Sequence, residues 1–163
     1  MRVLGLDPGL TCAGYGLVEE LRGTSRAVVY GAIRTARTAL PVRLASLYEN
    51  IRGLLDEHRP DAVAVEKVLF NANTRTAMSV GQAAGVALLA AAQHGCEVAE
   101  YTPGEVKLAV TGDGASDKRQ MQRMIARLLS IEVPTPPDTA DALGLALTHL
   151  RGRRLREVSA RGA

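Results

Sequence analysis

The chain has 163 residues, a formal net charge of +3 and 47% hydrophobic residues, as expected for one globular domain with a full hydrophobic core. Its longest apolar run, residues 83–92, is about half as long as a membrane-spanning helix, and its two cysteines have no CxxC spacing. We therefore expect a cytoplasmic protein, and not a disordered chain, a disulfide-stapled secreted domain or a membrane protein.

The first half of the sequence predicts three strands, a helix and a fourth strand. A turn at 23–25 and short connections make the first three strands an antiparallel meander. Residues 41–58 carry apolar side chains at helical spacing, and Pro60 ends that helix. The strands cover residues 2–7, 13–20 and 27–34, and the fourth runs through the apolar segment that ends at Glu66.

The second half alternates between helices and a strand. The predicted elements are helices at 73–94, 104–110, 117–130 and 137–150 and a strand at 97–100, with a glycine-rich loop at 111–116. An antiparallel meander followed by alternating helix and strand predicts an α/β fold, with a mixed five-stranded sheet and helices on both faces. Residues 1–150 then form one domain, and the Arg-rich segment 151–163 forms a basic, flexible tail.

Two of the predicted strands end in a lone carboxylate. Asp7 follows an apolar strand and precedes the turn pair Pro8-Gly9, and Glu66 ends the fourth strand. Ligands of open α/β sheets bind outside the carboxyl ends of strands. Taken alone, each acid is equally well explained as a turn or surface residue, so the repeated pattern carries the argument.

A third acidic feature is the segment PPDTADALGLAL. Asp138 and Asp141 stand three residues apart, so their side chains lie on one face of the predicted helix. The helix macrodipole explains Asp138 taken alone, but Asp141 interrupts an Ala- and Leu-rich helix that faces the core. Clustered like charges are costly unless they are protonated or bind cations. Together with Asp7 and Glu66, these acids predict a metal site.

The donor set indicates which metal ions fit this site. Carboxylate oxygens without His or Cys ligands favour hard cations, namely Mg²⁺ or Mn²⁺. Two such ions in one site suit phosphodiester cleavage, in which one activates water and the second stabilises the leaving 3′ oxygen. The sequence therefore predicts a metal-dependent phosphodiesterase with two cations in each active site.

Four segments closely resemble the RuvC family of Holliday-junction resolvases: LGLDPGLTCAGYG, VEKVLFNANTRTAMSVGQAAGVALLAAA, EVKLAVTGDGASDK and PPDTADALGLALTH. They follow the family's order and spacing, and the likeness ends before the Arg-rich tail. The resemblance implies a ribonuclease H-like fold, a homodimer, and symmetrical nicking of two opposed strands of a four-way DNA junction in recombination and repair. The family's acidic tetrad falls on Asp7, Glu66, Asp138 and Asp141.

The resemblance also assigns basic and aromatic positions near the acids. The family's catalytic-region lysines match Lys107 and Lys118, where a positive charge stabilises charge that develops on the scissile phosphate; a solvated helix charge is the alternative for both. The family places a base-stacking aromatic just after the catalytic Glu. Leu69 stands at that position and Phe70 follows it, so either residue is the candidate wedge.

Further DNA contacts are expected from arginines. Arg75, Arg119 and Arg123 are candidate phosphate contacts. Arg119 and Arg123 belong to a helical stripe that continues to Arg127, and such a stripe equally fits a solvated helix face. Gly81 and Gly85 in the small-residue helix permit close packing, either on the sheet or, as the resemblance implies, across a dimer interface.

The sequence also bears on partner proteins and on alternative functions. The resemblance implies cooperation with a junction-binding protein and a branch-migration motor of the RuvA and RuvB type. The alternatives are another ribonuclease H-like nuclease that acts on RNA or an RNA–DNA hybrid, and a non-catalytic junction-binding module. A phosphotransferase of the sugar-kinase and actin group is disfavoured, because the sequence has no second phosphate-binding glycine-rich turn.

Overall fold

The computed structural model describes residues 1–68 and 74–161, apart from the side chains of 74–76 and 155–161. The strands are β1 (Arg2–Asp7), β2 (Cys12–Leu21), β3 (Thr24–Arg34), β4 (Ala62–Glu66) and β5 (Glu97–Tyr101). The helices are α1 (Leu40–His58), α2 (Thr74–His94), α3 (Pro103–Thr111), α4 (Lys118–Leu129) and α5 (Pro137–Arg161). No helix within the described residues is both long and apolar enough to cross a membrane.

The five strands form one mixed sheet in the order β3-β2-β1-β4-β5. β1, β2 and β3 pair antiparallel, whereas β4 pairs parallel with β1 and with β5. Helices α1 and α2 cover one face, and α5 covers the other, with α3 and α4 packed against it. The α/β fold predicted from the sequence, with its antiparallel first three strands and its two helical layers, is confirmed.

The central strands present side chains of different size to the two faces of the sheet. On the side of α1 and α2, β1 and β4 place large residues such as Leu4, Leu6 and Val65. On the side of α5, β4 places only Ala62 and Ala64 in the core. Because side chains alternate along a strand, one face of the sheet carries large side chains, and the other carries small ones that let a helix approach closely.

Helix α5 lies directly on the backbone of β1 and β2. A Cβ atom added to Gly5 would overlap the carbonyl oxygen of Ala142, and one added to Gly14 would overlap that of Asp138. A side chain at Gly16 would likewise meet Leu143. Glycine at these positions is therefore required by the approach of a second backbone.

Three local features differ from the sequence predictions. The β2–β3 turn consists of Arg22 and Gly23, both with positive φ, as in a tight type I′ hairpin, so Thr24 already pairs with Leu21. Helix α5 does not end at residue 150 but continues to Arg161, because extending a formed helix needs no core face of its own. Side chains added at Gly81 or Gly85 would meet open space, so these glycines do not pack on the sheet.

The close contact of α5 with β1 predicts a large effect of one methyl group. Gly5→Ala should lower the free energy of unfolding by about 2 kcal/mol or more, because the Cβ overlaps a helix backbone that cannot move aside locally. Gly53→Ala is the control, since Gly53 lies inside α1 with open space around its Cβ position, and it should stabilise by about 1 kcal/mol. Urea denaturation monitored by circular dichroism measures both. A Gly5→Ala protein as stable as the parent would contradict the packing described.

Candidate active site

Asp7 and Glu66 are the last residues of the neighbouring parallel strands β1 and β4, and their side chains lie on the same face of the sheet. Leu6 pairs with Val65, so the two acids stand one residue further along β1 and β4. Alternation puts Asp7 on the face of Gly5 and Glu66 on the face of Ala64, which is the face that α5 covers. Both side chains are partly buried.

Helix α5 brings two further carboxylates to this edge. Asp138 lies in its first turn and Asp141 one turn later, and the contact between Gly14 and the Asp138 backbone fixes the start of the helix against β2. Carboxylate oxygens of Asp7, Asp138 and Asp141 lie within 4.8 Å of one another. Three of the four predicted acids therefore converge within metal-binding distance.

Glu66 lines an adjoining cleft of about 240 Å³ that also contains both predicted lysines. Its polar lining is Glu66, Lys107, Lys118 and Asp141. The Nζ of Lys118 donates a hydrogen bond to Asp141 Oδ2 at 3.0 Å. Acids from β4 and α5 thus meet bases from α3 and α4 in one cleft.

Local sequence determines where the two lysines stand. Thr102 caps the N-terminus of α3 and forms a reciprocal capping box with Glu105, and Lys107 follows in the next turn. Asp117 caps α4 and forms the same motif with Gln120, so Lys118 is the first helical residue. Such boxes satisfy free N–H groups and define the starting residue of a helix.

The electrostatics of the cluster are dominated by desolvation and by repulsion among the acids. Burial, then the charges of Glu66, Asp141 and Asp138, raise the pKa of Asp7 to about 8. Burial and the Asp141 charge raise the pKa of Glu66. Partial burial disfavours the Lys118 ammonium, but its hydrogen bond to Asp141 and the nearby carboxylates outweigh that effect and raise its pKa.

This donor set fits a hard divalent cation. All the converging ligand atoms are carboxylate oxygens, the ligands that Mg²⁺ and Mn²⁺ prefer. Burial is the largest cause of the raised pKa of Asp7, and the charges of Glu66, Asp141 and Asp138 raise it further against the opposing charge of Lys118. A bound cation would supply the missing positive charge.

Comparison with known proteins identifies the family. The family model for "Crossover junction endodeoxyribonuclease RuvC" matches residues 3–149. The chain belongs to the RuvC family. RuvC of Moorella thermoacetica is 52% identical over 151 residues, which cover 91% of this chain and 90% of the relative. RuvC of Brevibacillus brevis is 48% identical over 161 residues, which cover 98% and 97% of the two chains.

A solved RuvC structure shares the whole architecture. Thermus thermophilus RuvC in complex with a Holliday junction substrate superposes with a TM-score of 0.90 and 34% identity, covering 95% of this chain and 96% of that one. The recognition of the RuvC family and of the ribonuclease H-like fold is therefore confirmed. As a RuvC-family member, the chain is a crossover junction endodeoxyribonuclease.

The other residues predicted to contact DNA do not belong to the acidic cluster. Arg119 and Arg123 are exposed on α4. Arg123 lines a second cleft of about 400 Å³ together with Arg127, Gln120 and Ser116, whereas Arg119 lines neither of the two clefts. Leu69 and Phe70 lie outside the described residues, as does the side chain of Arg75.

Cys12, which the sequence analysis does not single out, lies beside the acidic cluster. Burial and a hydrogen bond to the Asp138 side chain, followed by the Asp138 charge, raise the pKa of the Cys12 thiol. Cys12, Gly14 and Gly16 alternate on β2, and both glycines meet α5. That alternation was the available signal, because it places the thiol on the face that carries Asp138.

The raised pKa of Asp7 predicts a pH-dependent stability of the metal-free protein. The folded state binds this proton up to about pH 8, whereas the unfolded state releases it near 3.8. Stability should therefore fall by up to about 1 kcal/mol per pH unit as pH rises between these values. Asp7→Asn should remove this part of the slope, so its melting temperature in chelator exceeds that of the parent increasingly from pH 5 to pH 8.

Two controls accompany that measurement. Glu132→Gln, at an exposed position in the loop before α5, should leave the pH slope unchanged. Adding Mg²⁺ at pH 8 should raise the melting temperature of the parent more than that of Asp7→Asn, because a cation replaces the proton. Parallel pH slopes for parent and Asp7→Asn would contradict the charge coupling described.

Proposed function

We propose that this protein resolves four-way DNA junctions by symmetrical, metal-dependent nicking of two opposed strands, in recombination and repair. The observation that carries the proposal is the convergence of Asp7, Asp138 and Asp141 within 4.8 Å, beside a cleft that holds Glu66 and two lysines. The junction complex of the Thermus thermophilus relative supports the substrate.

Asp7, Glu66, Asp138 and Asp141 would hold the cations, two Mg²⁺ or Mn²⁺ ions per site. When bound, such ions activate water and stabilise the leaving 3′ oxygen of a phosphodiester. The rigid ends of β1 and β4 and the first turns of α5 keep the four ligands in a fixed arrangement. Support for this assignment comes from the oxygen-only donor set and from the raised pKa of Asp7.

The two lysines would have different tasks. Lys118 donates to Asp141 at 3.0 Å, so it orients that carboxylate and offsets part of the acidic charge. Lys107 lines the same cleft as Glu66, and no hydrogen bond to an acid occupies its ammonium among the described residues. It is therefore free to contact the scissile phosphate and to stabilise charge that develops there.

DNA beyond the scissile phosphate would be bound by the arginines and by the wedge position. Arg119 and Arg123 face solvent on α4, and Arg123 shares its cleft with Arg127; both suit phosphate contacts. Arg75 is proposed for the same role. Leu69 or Phe70 remains the proposed wedge at the junction centre.

A homodimer would present two such sites to the two strands that are cut. Helix α2 exposes Met78, Gly85 and Leu89 along one stripe, and Gly81 and Gly85 leave room for a second backbone. An exposed apolar stripe with small residues suits an isologous helix contact. We further propose a cytoplasmic location and cooperation with a junction-binding protein and a branch-migration motor of the RuvA and RuvB type.

Glu66→Gln tests the proposal, because it should separate binding from chemistry. The parent should make paired nicks in a four-way junction with Mg²⁺ or Mn²⁺, and none with chelator. It should leave linear duplex and RNA–DNA hybrid intact. The variant should bind the junction at least as tightly, since one repelling charge is removed, while its cleavage rate falls by about 10³-fold or more.

Glu57→Gln is the matched control, because this side chain is 74% exposed at the end of α1; it should cut at the parental rate. Normal cutting by Glu66→Gln would refute the metal-site assignment. Cleavage of the hybrid by the parent would indicate a nuclease for RNA. Tight junction binding without any cleavage by the parent would indicate a binding module.

Lys107→Ala should lose cleavage rate more than junction affinity. A contact that strengthens as charge develops on the phosphate stabilises the transition state and not the ground state. We expect a loss of about 10²-fold in single-turnover rate with a dissociation constant changed by no more than about threefold. Arg52→Ala removes an equal charge from exposed α1 and serves as control. Equal losses in rate and affinity would reduce Lys107 to an ordinary phosphate contact.

A further inference from the structure

Arg151 links the C-terminal part of α5 to the end of α3. Its Nη1 donates hydrogen bonds to the carbonyl oxygens of Ala109 and, at 3.3 Å, of Val110. Arg151 belongs to the basic segment that the sequence predicts as a tail, and it lies beyond residues 3–149, which the family model matches. The segment thus makes a specific contact with the catalytic domain at its first residue.

This contact supplies hydrogen-bond donors to the C-terminus of α3. A helix leaves its last carbonyl groups without intrahelical donors. In α3 the N–H of Gly112 bonds to the Leu108 carbonyl at 2.9 Å, and Arg151 supplies the donors for the next two carbonyls. Its guanidinium charge also suits the negative end of the helix dipole.

Helix α3 carries Lys107 on one side and packs on α5 with the other. Val106 and Val110 are buried in the cluster that includes Leu143 and Leu147 of α5, while Lys107 lines the cleft with Glu66 and Lys118. Apolar packing is non-directional and allows a short helix to shift along its partner. Gly112 ends α3 in the left-handed conformation, and the two hydrogen bonds from Arg151 restrain the last turn of the helix against α5. That restraint bears on where Lys107 stands.

We propose that Arg151 is a positioning residue, which acts through α3 to hold the Lys107 ammonium at the scissile phosphate. The proposal rests on the role given to Lys107 above. Arg151 belongs neither to the acidic cluster nor to the lining of the cleft that holds Lys107, among the described residues. Its loss should therefore change the rate of the chemical step and leave junction binding intact.

The test is a double-mutant cycle with single-turnover cleavage and junction affinity as readouts. Arg151→Ala should slow cleavage by about tenfold or more, since small misplacements of a catalytic group cost rate, with the dissociation constant within twofold. Arg151→Lys, which retains a charged donor, should recover part of the loss. In a Lys107→Ala background, Arg151→Ala should cause no further loss, because its effect passes through Lys107.

Arg154→Ala is the matched control for charge and helix. Arg154 is exposed on the same helix, and its guanidinium lies beside Gly23 in the β2–β3 turn, so its loss should leave the rate unchanged. Hydrogen exchange of the free protein gives a readout that needs no cleavage. Amides of α3 and of the loop 112–116 should exchange faster in Arg151→Ala, whereas those of α1 should not.

The outcomes separate this inference from the proposed function. A slow Lys107→Ala with a parental rate for Arg151→Ala overturns only the role of Arg151. A slowing by Arg151→Ala that persists in the Lys107→Ala background also overturns it, because the effect is then a general loss of structure. A Lys107→Ala variant with the parental rate overturns both the role of Lys107 and the inference built on it.

Discussion

The structure depends on the direct contact between the backbone of α5 and the backbones of β1 and β2. Gly5 and Gly14 leave no side chain between them, so Asp138 and Asp141 approach the end of β1 closely enough to meet Asp7. The same helix supports α3 and α4 on its outer side. The positions of both lysines therefore also follow from how deeply α5 is seated on the sheet.

The close packing of α5 on the sheet brings several carboxylates together at a partly buried site. The protein neutralises their negative charge only in part. Burial and three neighbouring acids keep the pKa of Asp7 near 8, and the hydrogen bond from Lys118 reaches one carboxylate. A domain selected for stability alone would replace such a cluster with apolar residues. The destabilising arrangement persists where a charged ligand, such as a divalent cation on a phosphodiester, is to be bound.

Much of the fold and of the candidate site follows from local pattern. Alternating and helical periodicity predicts the sheet and its helical layers, and two strand-end acids plus an i, i+3 pair indicate the metal site.

Other features depend on contacts between distant residues. The hydrogen bond between Cys12 and Asp138 and the contact of Arg151 with the end of α3 are examples. Both depend on how α5 is positioned against its neighbours, and a short stretch of sequence does not contain that information. The catalytic roles of the two lysines came from the family resemblance, because a solvated helix charge is an alternative explanation for a lysine on a helix. The sequence also predicted too early an end for α5, because the residues after 150 lack an apolar face, although the helix continues to Arg161.

The site joins the first strand of the domain to its last helix. Asp7 is supplied by β1 and Asp141 by α5, so acids of one cluster are synthesised near opposite ends of the domain. A nascent chain that has completed all five strands still lacks two of the four acids, and domains fold as units once their parts have emerged. A chain that stops before α5 lacks both of its acids and the helix that covers one face of the sheet. The acidic cluster and the core on this face of the sheet are therefore completed by the same helix.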